Sequence, residues 1–152
     1  MLRTELNDSL KTAMRAKETV AVATIRLILA ALKDRDIAAR TKGNPDGLTD
    51  DEILQLLSSM IKQRRESIAL YEQGGRVDLV EQEQGEIGVI ERFLPKQLNE
   101  AEIKGAVDAL ILELGAGSIK DMGRVMQELR GRYAGQMDFG KASGMVRGAL
   151  AG

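Results

Sequence analysis

A chain of 152 residues with no cysteine and no histidine lacks most of the side chains that do chemistry. Disulfides, zinc–thiolate sites and thiol nucleophiles are excluded, together with the usual general base near neutral pH and the commonest transition-metal ligand. Site chemistry falls to carboxylates, lysines or hydroxyls. The one constellation of that kind is Arg64 with Glu83 and Glu86. Arg64 lies on an apolar stripe between Met60 and Ile68, and Glu83 lies on another between Leu79 and Ile87. A charge at such a position is costly unless paired. If the two segments fold back on each other about Gly74-Gly75, Arg64 faces both acids. A structural ion pair that fixes helix register is the simpler reading; a catalytic Arg-Glu site lacks a neighbouring nucleophile. The surrounding acids Asp78, Glu81, Glu83, Glu86 and Glu91 fit neither an EF-hand loop nor a di-metal Glu-x-x-His pattern, so they read as a solvated face and no metal site is expected.

Charge is spread unevenly near the C-terminus. Lys120, Arg124, Arg130, Arg132, Lys141 and Arg147 outnumber Asp121, Glu128 and Asp138 after residue 117, although the net charge of −1 gives no global attraction for nucleic acid. Gly140, Gly144 and Gly148 recur every four residues, turned away from Phe139, Val146 and Leu150. Each glycine inside a helix costs about 1 kcal/mol relative to alanine. Close approach of another backbone is one reason to keep them; a fraying terminal helix that tolerates them is another. With Gly123, Gly131 and Gly135 nearby, a smooth basic surface against a phosphate backbone is one reading. Tyr133 and Phe139 are the only aromatics near it, so recognition of a folded RNA suits it better than stacking on single strands.

The elements that must position these residues are helices. Leu2, Leu6, Leu10, Ala13 and Met14 repeat at helical spacing. From Thr19 to Leu32 the chain is apolar nearly all round with Arg26 its only charge, which predicts a central helix buried on most sides. Thr41 to Gly47 reads as the clearest exposed loop. Thr49 with Glu52 forms a capping box for a third helix carrying Ile53, Leu57, Met60, Ile61, Ile68 and Tyr71. A fourth carries Leu79, Ile87, Ile90 and Leu94, and Pro95 stops it. Asn99 with Glu102 caps the fifth, whose inner residues are Ile103, Val107, Leu110, Ile111 and Leu114. Ser118 and Asp121 open the sixth, with Ile119, Met122, Met126, Leu129 and Tyr133 inward. Asp138 caps the seventh, with Phe139, Ala142, Val146 and Leu150 inward. The fold expected is all-α: a four-helix part over residues 1–95, a short hinge near Pro95 to Leu98, and a three-helix subdomain over residues 96–152.

A chain of this length buries roughly 70% of its unfolded surface, enough for a conventional core. No stretch reaches the roughly 20 apolar residues of a membrane span, and Met1 to Leu6 lacks the apolar centre of a signal peptide. A cytoplasmic location without membrane attachment is therefore expected.

Three stretches together resemble the GatB/YqeY family, which comprises standalone YqeY-like proteins and the tail of the B subunit of glutamine-dependent tRNA amidotransferase. They are Ile61-Lys62-Gln63-Arg64-Arg65-Glu66-Ser67-Ile68 followed by Gly75-Arg76-Val77-Asp78-Leu79; Phe93-Leu94-Pro95-Lys96-Gln97-Leu98; and Lys120-Asp121-Met122-Gly123-Arg124-Val125-Met126 continuing to Gly135 and Asp138. The resemblance implies an N-terminal helical bundle with a smaller helical subdomain. It also implies a link to tRNA, and not to DNA, because in the amidotransferase this module contacts the tRNA body while the chemistry happens elsewhere. Labels of carbon-nitrogen ligase activity with glutamine as amido-N-donor belong to the complete enzyme; without an amidase domain or a kinase-like body here, no catalysis, catalytic residue or cofactor is carried over. The RNA-facing candidates are Lys120, Gly123, Arg124, Gly135 and Lys141, joined from the glycine face by Gly144 and Arg147. Relatives place a basic residue after Gly135, where this chain has Gln136 and Met137, which removes one phosphate contact. The expected function is a noncatalytic tRNA-binding, translation-associated module, possible partners including translation or amidotransferase proteins. The alternative is a protein-interaction adaptor whose glycine face receives a partner helix.

Overall fold

The computed structural model describes residues 1–151 and is all-α: seven α-helices and one 3-10 turn, with no strand among the described residues. The helices are α1 (Leu2–Ala16), α2 (Thr19–Thr41), α3 (Asp50–Gln73), α4 (Val77–Glu91), α5 (Glu100–Leu114), α6 (Met122–Arg132) and α7 (Phe139–Ala151), the turn at Ile119–Asp121 leading into α6. The chain divides into two compact units, Met1–Leu94 and Pro95–Gly152, each with its own apolar core.

The first unit closes over Leu6, Ile25, Ile28, Ile53, Leu57 and Ile90, all essentially inaccessible to solvent. Local signals set its helix ends. Thr49 Oγ1 accepts from the Glu52 amide while the Glu52 carboxylate accepts from the Thr49 amide, a complete capping box. Gly75, at φ +69°, turns the chain from α3 into α4.

Two expectations for this unit need correction. α2 continues to Thr41 and is buried on one side only: Ala21, Thr24, Ile25, Ile28, Leu32 and Asp36 face the core, whereas Val20, Leu27 and Ile37 stay about half exposed. The cause is that α1, α3 and α4 all reach α2 from its inner side. The loop before α3 is also not wholly exposed, because Gly47 is buried. Asp36 pins it, accepting from the Leu48 amide at 2.8 Å and from the Arg3 guanidinium, which also donates to the Leu48 carbonyl at 2.9 Å. Burial pushes the Asp36 carboxyl up, but the Leu48 amide and Arg3 outweigh it and hold it below the usual carboxylate range. Gly47 sits at φ +75°, and a Cβ there would fall 2.3 Å from Asp36 Oδ1. Only glycine fits both the backbone angle and the space.

The second unit packs Ile103, Val107 and Leu110 of α5, Val125, Met126 and Leu129 of α6, and Ala142, Val146 and Leu150 of α7. Asn99 and Glu102 complete a second capping box, and Gly115 ends α5 at φ +63°. Val125 is fully buried, whereas Ile119, expected inward, is about half exposed. The 3-10 turn explains this, since it changes the angular step between Ile119 and Met122 and moves α6 onto Val125. The segment expected as a hinge is tied into this unit: the Leu98 amide donates to the Gln136 carbonyl at 2.8 Å, and the Gln97 side-chain amide donates to the Pro95 and Gly135 carbonyls at 2.9 and 2.6 Å.

Candidate nucleic-acid contact surface

α7 supplies the centre of the surface. Its inner stripe is Ala142, Val146 and Leu150, so Gly144 and Gly148 fall on the outer side, exposed, and a Cβ built at either meets nothing within 4 Å. At about 100° per residue, Lys141 and Arg147 project on opposite sides of Gly144, roughly 60° away from it each. Both are exposed, and neither forms an ion pair among the described residues. Gly140 is different, because a Cβ there would stand 3.0 Å from the Asp138 carboxylate that accepts from the Gly140 amide. That glycine serves the start of the helix.

The other sequence candidates divide in the same way. Lys120, on the 3-10 turn, is exposed and without an ion pair among the described residues, and Gly123 is exposed with open space about it. Arg124 is half committed: its guanidinium donates to the Leu114 carbonyl at 3.1 Å and to Asp121 at 3.4 Å. The Asp121 carboxylate also accepts from the Gly117 and Ser118 amides, and these hydrogen bonds hold its pKa below the ordinary value. Gly135 is buried at φ +73° with its carbonyl already taken by Gln97. It makes the turn between α6 and α7.

Arg130, counted in the basic excess but not among the contact candidates, has its guanidinium 5.9 Å from the centre of the Phe139 ring, a cation–π distance, and forms no ion pair among the described residues. Only the packing of α6 on α7 brings the two together. Arg132, by contrast, is consumed by a two-point contact with Glu113 at 2.7 and 2.8 Å and by Glu128 at 3.3 Å. Beside the glycine face, α5 and α7 enclose a shallow, mostly apolar groove of about 570 Å³ floored by Val107, Met145, Gly148 and Ala149, with Glu100 and Asp108 at its rim. Sequence spacing held no signal for the groove, which depends on how two helices separated by α6 approach.

In the first unit the hairpin of α3 and α4 brings Arg64 to Glu83 and Glu86 at 3.9 and 3.6 Å. Arg64 donates to the Met60 carbonyl, while its buried Nε has no hydrogen-bond partner. Burial, then the charge of Glu86, raises the Glu83 pKa. Among the described residues, no hydroxyl or lysine joins these ion pairs. Among the described residues, no three acids converge to hold a metal ion, and no helix is long and apolar enough to cross a membrane.

Known proteins resemble this chain along most of its length. It is 37% identical over 111 residues, 72% of the chain, to altered inheritance of mitochondria protein 41, mitochondrial, of Lachancea thermotolerans, covering 57% of that protein. The counterpart in Eremothecium gossypii is 37% identical over 72% of the chain and 58% of its own length; that in Saccharomyces cerevisiae is 30% identical over 76% and 63%. The chain thus spans less than two thirds of these relatives, and their names place them, not this chain, in mitochondria. Residues 3–150 match the family model described as Yqey-like protein, and by that match, nearly end to end, the chain belongs to the Yqey-like protein family.

Proposed function

We propose that the protein is a noncatalytic, tRNA-contacting helical module associated with translation, and that the outer face of α7 with its neighbours on α6 is the contact surface. The observation that carries this reading is the open Gly144–Gly148 strip with Lys141 and Arg147 on either side, neither neutralised by an acid among the described residues. Glycine lets a sugar–phosphate strand approach the helix backbone, and flanking cations meet its phosphates without reading bases. Lys120 and Arg130 extend the positive surface, whereas Arg124 contributes only by releasing Leu114 and Asp121. The similarity to an amidotransferase tail supports an RNA partner; a cytoplasmic location belongs to the same proposal.

The test is binding of purified protein to total tRNA across a salt series. With about four phosphates neutralised, raising salt from about 50 to 200 mM weakens binding roughly a hundredfold. Lys141→Ala/Arg147→Ala flattens the salt dependence and weakens binding at every salt. Salt-insensitive binding, or none at low salt, overturns the reading. The apolar groove between α5 and α7 favours a second one, an adaptor that seats a partner helix beside the glycines. A protein partner that survives nuclease treatment and is lost on Gly144→Leu distinguishes it.

A further inference from the structure

α2 has a second face that the core does not use. Val20, Ala23, Leu27, Ala30 and Ile37 lie on its solvent side, and the three large ones are 54%, 49% and 51% exposed. The first four recur at steps of three, four and three residues, opposite Ala21, Ile25, Ile28 and Leu32, which are buried, and Ile37 follows after seven, with the exposed Asp34 at the intervening position. That is the a/d spacing of a heptad seam, with Val20, Leu27 and the acidic Asp34 at a and Ala23, Ala30 and Ile37 at d. The seam runs about 26 Å along the helix. A scattered exposed leucine needs no explanation, but an apolar stripe in this register, interrupted only at Asp34, does.

The border of the stripe says what fits it. Arg26, Lys33 and Arg40 stand at seven-residue intervals, the g positions of the same heptads. Arg26 and Lys33 form no ion pair among the described residues, and Arg40 only donates to the Pro45 carbonyl at 3.3 Å. The e positions are Thr24, Ala31 and Ala38, with no acid among them. A second copy of the chain is therefore a poor occupant: antiparallel pairing sets the basic g rows against each other, and parallel pairing sets them against Thr and Ala. A lipid surface fits no better, since the stripe has no aromatic residue, is alanine-rich, carries Asp34 within it and is basic along one border only. Ala23 and Ala30 instead permit the close approach of another helix.

We propose that the outer face of α2 seats one amphipathic helix of another protein whose flanking positions are acidic, in a small, exchangeable interface. The inference is independent of the RNA reading, which concerns the second unit.

The test uses the full chain and a fluorescently labelled peptide of about three heptads with Leu at a and d and Glu at e and g, against the same peptide with Lys at e and g. Like charges keep each peptide from pairing with itself. The Glu peptide binds at least about tenfold tighter than the Lys peptide, as expected of several complementary flank pairs. Leu27→Glu abolishes its binding, and Arg26→Glu/Lys33→Glu reverses the preference. The substituted positions are exposed, and unchanged circular dichroism and Tm verify folding. Leu27→Glu leaves tRNA affinity unchanged, so failure here and failure of the RNA reading are separable. Equal affinity for the two peptides, or no binding of either, overturns the proposal. So does a dimer in sedimentation that Leu27→Glu dissociates, or binding to phosphatidylglycerol vesicles that Leu27→Glu removes, since the stripe then belongs to a second copy or to lipid.

Discussion

At Arg64 the balance between ion pairing and desolvation is close. Its Nε lies 3.6 Å from Glu86 and 3.9 Å from Glu83 without a hydrogen bond to either, so the cation mainly offsets two half-buried acids that repel each other. Arg64→Ala leaves them uncompensated and costs about 3 kcal/mol at neutral pH. The pH dependence has a definite sign. Burial and Glu86 raise the Glu83 pKa in the folded state, and Arg64 opposes that rise. A carboxyl with a raised folded-state pKa binds its proton more readily in the native than in the unfolded chain, so stability increases on acidification. The deficit of Arg64→Ala accordingly narrows between about pH 7 and pH 5, as urea denaturation at the two pH values checks; a deficit independent of pH removes the carboxylates from the explanation. Arg64, Glu83 and Glu86 were legible in sequence because charges interrupted an apolar period. Asp36 gave the same kind of signal, four residues after Leu32 on the buried stripe. Its partners Arg3 and Leu48 are distant in sequence and follow no local period, so the spacing carries no sign of the pairing.

Element existence followed from periodicity and caps, and the boxes at Thr49 and Asn99 formed as their spacing dictates. α2 shows where that reading stops. An all-round apolar sequence is compatible with burial on every side or with one core face and one outer face, and only the arrangement of α1, α3 and α4 decides between them. α7 raises the complementary question of what its glycines cost. Gly144 and Gly148 occupy ordinary helical positions with open space around them, so nothing in the fold requires them. Gly144→Ala/Gly148→Ala should raise stability by about 1–2 kcal/mol, near the sum of two exposed helix-interior exchanges. A higher Tm by calorimetry is the expected outcome. Destabilisation would mean that the backbone at these glycines departs from helix in solution. Natural sequences commonly rest below their stability optimum, so the tRNA titration of the variant, not its Tm, tests the proposed contact.

In the whole molecule, the boundary between the two compact units falls between Leu94 and Pro95 along the chain. What the sequence lacked was the grouping of Arg130 with Phe139 and of α5 with α7, which comes from three-dimensional packing alone. The second unit has a small core, and domains of that size are marginal. Leu129, fully buried at its centre, is the residue whose truncation tests independence. Leu129→Ala costs about 2–5 kcal/mol. Amide exchange should accelerate throughout α5, α6 and α7, while α3 keeps its protection. Loss of protection in α3 as well would make the two cores one cooperative system. The segment that enters the second unit is held from within that unit. Gln97 and Leu98 spend their hydrogen bonds on Pro95, Gly135 and Gln136, all within the second unit. A foreign chain joined just upstream of Pro95 would therefore leave those hydrogen bonds unbroken.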